Sequence, residues 1–481
     1  MNATSLERAV LGGLAGLAVF ALAACVAFTC HAAVAAWWLP AAIAFGVLAV
    51  GPAAPWPSAT PAHRGLVAAV VVALAAALVA VAYGALATPS RHWDGAVAWD
   101  TAAHFLAAGL SLEHPYFRDP AVLAYTRDYP PLQPLLVATL VHGGGPTAGR
   151  VVFPLLYALL GLLVFVRVRR AGGDGNLPWL AAAGVLLVPT LTSPGGGGVD
   201  SGYGDALLLL ATTAITAGLW QRHVVLLAGG AVLAVLAKPE GLVYAGAATA
   251  VAFVVGDRRC AVAAAAGWLG AAARWLPLQR ELVTPGLVAN GLADAAVAIL
   301  GIAAVAGAAT VATRRAWRWR ARLVLLAAAG GLVAVAFVCV APGLPAGGAL
   351  HAFVDSPGRL LTRLDRVPAL ALGLCNHALL RGGCGLAFWS LVVAAPLLWR
   401  RRADLAAPAA FVLAGLCIVP LPFLLGPEPD LQHHLRSSLG RLLLHWTGPA
   451  LLVATAALAG DATVPPPWQR RPADPCGLAS R

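Results

Sequence analysis

Stretches of roughly 20 apolar residues recur along the chain, and they limit its fold more than any other feature. Residues Ala9 to Cys30, Leu66 to Ala87, Val151 to Val166 and Val224 to Ala237 carry no charge. The longer of these can cross a hydrocarbon core as a helix. Where no water reaches the backbone, only a helix or a closed barrel satisfies its N–H and C=O groups. Strict period-two alternation is missing, which removes the barrel. The expected class is therefore an all-α, polytopic membrane protein. Composition agrees, since only 11% of the 481 residues are charged, against about 25% in soluble domains.

About fourteen spans fit this pattern. The first three fill residues 1–90 and lead into a large outer loop, 91–134, containing interface helices. A transmembrane module follows over 135–461, with outer loops near 192–204, 341–383 and 426–446. Residues 462–481 form a Pro- and Arg-rich tail, read as cytoplasmic and disordered. Leu135 to Val141 is too short to cross and is expected to lie at the interface or dip into the membrane.

With the N-terminus inside and the spans alternating, most of the 32 Lys+Arg fall on the inner side and most of the 20 Asp+Glu on the outer side. The arginine clusters at 167–170, 258–259, 314–322 and 400–402 all land inside, as the positive-inside rule requires. The net charge of +12 is thus read as membrane orientation, and nucleic acid is excluded as a partner. Of the 12 histidines, all but His63 and His223 sort outside. Carboxylates and imidazoles are the groups that move protons, so chemistry is expected at the outer face.

The cysteines form neither CxxC nor a zinc pattern, and no metal ligands are assigned. Cys25, Cys30, Cys260, Cys339 and Cys417 read as packing residues. Cys375 and Cys384 share an outer loop and could pair in an oxidising compartment.

Several groups of residues could carry chemistry. Asp94 follows the third span, between Trp93 and Gly95, as a helix cap, a solvated acid or a functional carboxylate. Asp100, six residues on, is rotated off the face of Asp94 in a helix and is expected to face solvent. Asp128-Tyr129-Pro130-Pro131-Leu132 reads as a proline-fixed turn feeding a short helix. Gly195 to Gly198 link apolar helices with no preceding strand, so they are not read as a nucleotide loop. Asp205 stands at the mouth of a span. Lys238, the single lysine, precedes Pro239-Glu240 at the outer end of another, as a snorkelling pair or as part of a polar site. His434, Ser438 and Arg441 lie four and three apart, so a regular α-helix would place them on one face. That face would suit a phosphate or lipid headgroups.

Taken in order, these motifs resemble the GT-C superfamily of glycosyltransferases. Trp93-Asp94 with Trp99, then Tyr129-Pro130-Pro131-Leu132, is similar to the first outer loop of protein O-mannosyltransferases, of lipid A aminoarabinose transferases and of uncharacterised bacterial members. Ser201-Gly202-Tyr203-Gly204-Asp205, Ala237-Lys238-Pro239-Glu240-Gly241 and His434 to Leu442 are similar to later segments. Gly204 and Ala237 depart from the Ala and Thr of the pattern, and three spans precede the loop instead of one. The resemblance implies an inner-membrane enzyme with its active site on the extracytoplasmic face. Its donor would be a sugar on polyprenyl phosphate, and its acceptor a glycan, lipid or protein. Asp94 would be the base of an inverting transfer, with Lys238 and Arg441 on the leaving phosphate. Asp128, Tyr129, Asp205, Glu240 and His434 would line the substrate site. No cofactor is implied with certainty, and a divalent metal is possible. A lipid-linked sugar flippase or other polytopic transporter is the competing expectation, and a polysaccharide polymerase or ligase would use the same outer-face logic.

Overall fold

The computed structural model describes residues 3–51, 55–57, 60–88, 95–119, 121–122, 129–172, 174–192, 198–283, 362–401, 405–425 and 430–459. Asp94, Asp128, the Gly-rich segment 193–197, the expected spans Leu287–Val311 and Val324–Val340, and the tail lie outside them.

Among the described residues the chain is helical throughout, with no strand. The first part contains α1 (Ala3–Thr29), α2 (Trp38–Ala49) and α3 (Arg64–Ala87). A π-helical turn (Gly95–Asp100), α4 (Thr101–Ala107) and α5 (Pro115–Arg118) belong to the loop that follows. Next come α6 (Leu132–Gly144), α7 (Val152–Ala171), α8 (Leu177–Leu186), α9 (Pro189–Thr192), α10 (Asp205–Gln221), α11 (Val224–Ala237), α12 (Pro239–Val254) and α13 (Arg258–Val283). The C-terminal part holds α14 (Val367–Cys375), α15 (Ala387–Arg401), α16 (Ala406–Ile418), α17 (Leu421–Leu425), α18 (Leu431–His434), α19 (Gly440–Leu444) and α20 (Thr447–Leu458).

Four of these helical stretches are long and apolar enough to cross a membrane, or five if the bent pair 431–444 and 447–458 is one span. Several expected spans are shorter or broken. The stretch expected over Leu177–Leu191 divides at Pro189, because proline removes a backbone donor and clashes with the preceding turn, whereas the one expected over Ala406–Leu425 is among the four that are long enough to cross. The short helix expected to lie at the interface or dip in over Leu135–Val141 is α6, which is longer and is buried continuously from Leu132 to Thr139. Its residues pack on all sides, which a helix lying at an interface does not do.

The central element is α10. It is apolar nearly all round and buried without a break from Asp205 to Leu219, the mark of a helix enclosed by others. Contacts with α7, α11, α12, α16 and α20 surround it. By contrast, α3 leaves Val72, Val79 and Tyr83 exposed on its outer side. An apolar surface of this kind is stable against lipid and unfavourable against water.

Long-range polar contacts pin the helix ends. Glu7, only 3% exposed, pairs with Arg167 at 3.1 Å and accepts from Trp56 Nε1 at 2.8 Å. Arg167 also donates through Nε to Gln221 Oε1 at 2.6 Å, joining the start of α1 to the ends of α7 and α10. Arg8 Nε donates to Val47 O at 2.7 Å, which brings the end of α2 to the same place. The opposite end of α1 meets the loop and α13. There Glu113 receives His31 at 3.0 Å and Arg118 at 2.6 Å, and Arg118 also pairs with Glu281. Burial alone would raise the Glu113 carboxyl, but the hydrogen bonds from His31 and Arg118 outweigh it and hold it below its ordinary range.

His223, between α10 and α11, caps α11 by accepting from the Leu226 backbone N–H. Burial, and then the charge of Arg167, push its imidazole down to about 4. The unfolded imidazole titrates near 6.5, so the unfolded chain binds more protons between these values. Stability contributed here is fully present above about pH 6.5 and is lost as pH falls toward 4. Thermal unfolding of detergent-solubilised protein from pH 7.5 to 4.5 is expected to show this loss. His223→Asn, which keeps a capping oxygen but does not titrate, is expected to flatten it. Equal pH dependence in both proteins would remove the assignment.

Candidate active site

The enclosed helix α10 begins at Asp205, so its first side chain lies at the end of the helical core. Gly202 enters with φ 86°, a left-handed conformation that glycine adopts without strain. Its carbonyl accepts from the buried Gln133 side chain, which ties the turn to α6. Gly204 then leaves space for its neighbours. A Cβ there would stand 3.1 Å from Ala237 O and Lys238 Cγ and 3.3 Å from the Trp99 ring. The expected alanine at this position would therefore crowd the meeting point of the loop, α10 and α11.

Asp205 is fully buried, and three basic side chains close on it. Lys238 Nζ lies 2.7 Å and His445 Nε2 2.8 Å from Oδ1, while Arg441 Nε lies 2.8 Å from Oδ2. A carboxylate in the first turn of a helix is favoured by the unpaired N–H groups and the dipole of that terminus. The three charge-assisted contacts offset the desolvation that would otherwise make a buried carboxylate unfavourable.

Each partner is placed by local sequence. Lys238 separates α11 from α12 in an extended conformation, φ −156° and ψ 156°. The ring of the following residue, Pro239, disfavours helix at the position before it, and Pro239 itself opens α12 as its first residue. Lys238 is 4% exposed and its Nζ also lies 3.7 Å from Glu240 Oε1. Arg441, in α19, rests its guanidinium 3.6 Å from the centre of the Tyr203 ring, a cation–π contact. His445 follows Arg441 by one helical turn, so both reach Asp205 from the same side.

The loop supplies an aromatic wall. Trp99 stacks on Tyr129 with ring centres 5.4 Å apart, and Trp99 packs with Tyr203. A pocket lined by Trp99, Leu106, Tyr116, Tyr129 and Leu282 opens beside this wall. Asp100 does not face solvent as expected. It pairs with Arg150 at 2.9 Å, and Arg150 also donates to Ala85 O and, at 3.0 Å, to Asp200 O.

Five of the expected site residues are therefore brought together or into the adjoining wall: Asp205, Lys238, Glu240, Arg441 and Tyr129. His434 is separate, its ring 4.5 Å from that of Phe423. The segment Leu435–Leu439 is π-helical, which widens the turn and takes His434 and Arg441 off a common face. Sequence reading did not assign His445, although its spacing of four from Arg441 was available as a signal. Cys375 is exposed, Cys384 is buried, and both are free thiols. Among the described residues no group of three or more His, Cys, Asp or Glu could hold a metal.

The arrangement joins a lysine, an arginine, an imidazole and a buried carboxylate beside an aromatic surface. Such a group can recognise an anion while Asp205 fixes the direction of each cation. No family model, curated protein or solved structure matches the chain.

Proposed function

We propose that the protein is a membrane glycosyltransferase that moves a sugar from a polyprenyl-phosphate donor to a glycan, lipid or protein acceptor on the extracytoplasmic face of the inner membrane. The observation that carries this reading is the convergence of Asp205, Lys238 and Arg441, from segments far apart in sequence, beside Trp99 and Tyr129. In the proposed reaction the acceptor hydroxyl oxygen attacks the anomeric carbon with inversion. The bond from that carbon to the donor phosphate oxygen breaks, and its electron pair stays on the phosphate. Lys238 and Arg441 stabilise the charge that gathers there. Asp94, immediately before the Gly95–Asp100 turn, accepts the hydroxyl proton. Asp128, Tyr129 and Glu240 complete the substrate region, and His434 lies at its margin. About fourteen spans and a cytoplasmic tail at 462–481 belong to the same proposal.

One observation favours a transporter instead. Ion pairs are buried at both ends of α10, Glu7–Arg167 near one and Lys238–Asp205 at the other, and buried charges often mark ion or substrate paths. Reconstitution separates the two readings. Full-length protein in liposomes, given tritiated polyprenyl-phosphate sugars and delipidated envelope acceptors, is expected to yield labelled acceptor and free polyprenyl phosphate. Label crossing the bilayer with no new glycosidic product would reverse the choice. Deletion of the gene with mass spectrometry of envelope glycans and lipids would then identify the missing sugar.

A further inference from the structure

Two buried polar atoms of this site have no hydrogen-bond partner among the described residues: His445 Nδ1 and Glu240 Oε2. His445 is fully buried. Its Nε2 lies 2.8 Å from Asp205 Oδ1, and a carboxylate only accepts, so Nε2 carries the proton. A second proton on Nδ1 would create a buried N–H with no acceptor in this arrangement, which is unfavourable. His445 is therefore neutral here. The charges of the group then balance, with Asp205 and Glu240 against Lys238 and Arg441.

An anion that binds to Lys238 or Arg441 upsets this balance. The cations that neutralise Asp205 become shared, and the added negative charge favours any group that can gain a proton. The groups facing His445 are Asp205 at the start of α10, Lys238 between α11 and α12, and Glu240 and Tyr244 on α12, while Arg441 on its own segment acts on it through Asp205. Of these, Asp205 is engaged by three charge-assisted contacts, and Glu240 lies against Lys238 and does not touch Asp205. The imidazole touches Asp205 and has one bare nitrogen, so it is the group placed to take a proton and still hold that carboxylate.

We propose that His445 takes up one proton on Nδ1 when an anion occupies the Lys238–Arg441 site, and so holds Asp205 in place while the two cations turn to the ligand. The proton comes from solvent and the imidazole becomes a cation. Glu240 Oε2 is the buried acceptor for the new N–H, directly or through one water. His445 is thus a positioning residue acting through Asp205. The inference rests on reading Lys238 and Arg441 as an anion site and goes beyond it by assigning the proton that accompanies binding.

The test is calorimetry of full-length protein in detergent at pH 7, in two buffers of different ionisation enthalpy. The probes are sulfate, which has no titrating proton at this pH, and a polyprenyl monophosphate without sugar. The wild type is expected to take up about one more proton per bound probe than His445→Gln, which keeps an N–H donor for Asp205. Equal proton uptake in the two proteins overturns the proposal. Uptake with sulfate but no binding of the polyprenyl phosphate keeps the proton coupling and removes the lipid-donor reading. Binding of both probes with equal uptake in both proteins removes the coupling and leaves that reading standing. Should His445→Gln not fold, Glu240→Gln carries the test. Its uptake is expected to fall below half of the wild-type value, and unchanged uptake overturns the proposal.

Discussion

Asp205→Ala is expected to leave the protein poorly folded. The substitution removes one carboxylate but strands Lys238 and His445, both buried, and Arg441, largely buried, without the group they converge on. Breaking a buried ion pair by deleting one partner typically costs about 3–5 kcal/mol, which is much of a marginal total stability. Full-length variant in detergent is expected to melt well below the wild type or to elute as aggregate. The double variant Asp205→Ala with Lys238→Met should recover part of this loss, since one unpaired charge is then replaced by an apolar side chain of similar length. A single variant as stable as the wild type would show that water reaches the group and screens it.

The proposed reaction sets the second large expectation. Asp94→Asn keeps the size and polarity of the side chain but cannot accept a proton at neutral pH. If Asp94 is the base, transfer falls by about a hundred- to ten-thousand-fold, while melting temperature and binding of polyprenyl monophosphate stay at wild-type values. The expected loss lies in kcat, because the proton moves in the transition state. Full activity in this variant would remove Asp94 from the chemistry and leave the Asp205 group as an anion-binding element without an identified base.

The helical class was legible because it follows from apolar run length, which needs no knowledge of packing. Asp205, Lys238 and Arg441 were legible because each interrupts or ends an apolar stretch. Their convergence on one carboxylate was not, since sequence spacing says nothing about helices packed far apart along the chain. The Asp100–Arg150 pair was not legible for the same reason, its members lying 50 residues apart. A π-helical stretch at Leu435–Leu439, which spacing does not announce, separates His434 from Arg441. Glu7 is a buried acid only through its packing against Arg167 and Trp56, far from it in sequence.

The loop after α3 is held by two arginines. Near its start Asp100 is fastened to Arg150, and farther along Arg118 is fastened to Glu113 and Glu281. These arginines link it to the end of α3 on one side and to the end of α13 on the other. The segment between them, which follows directly on Trp99 and bears Tyr116, is in mechanical terms a plate riveted at two corners, not a flap swinging from one hinge. It cannot lift at either corner without separating a guanidinium from a carboxylate. A tilt of α3 or α13 would carry the plate with it, so the aromatic wall over Asp205 inherits the motions of two distant helices.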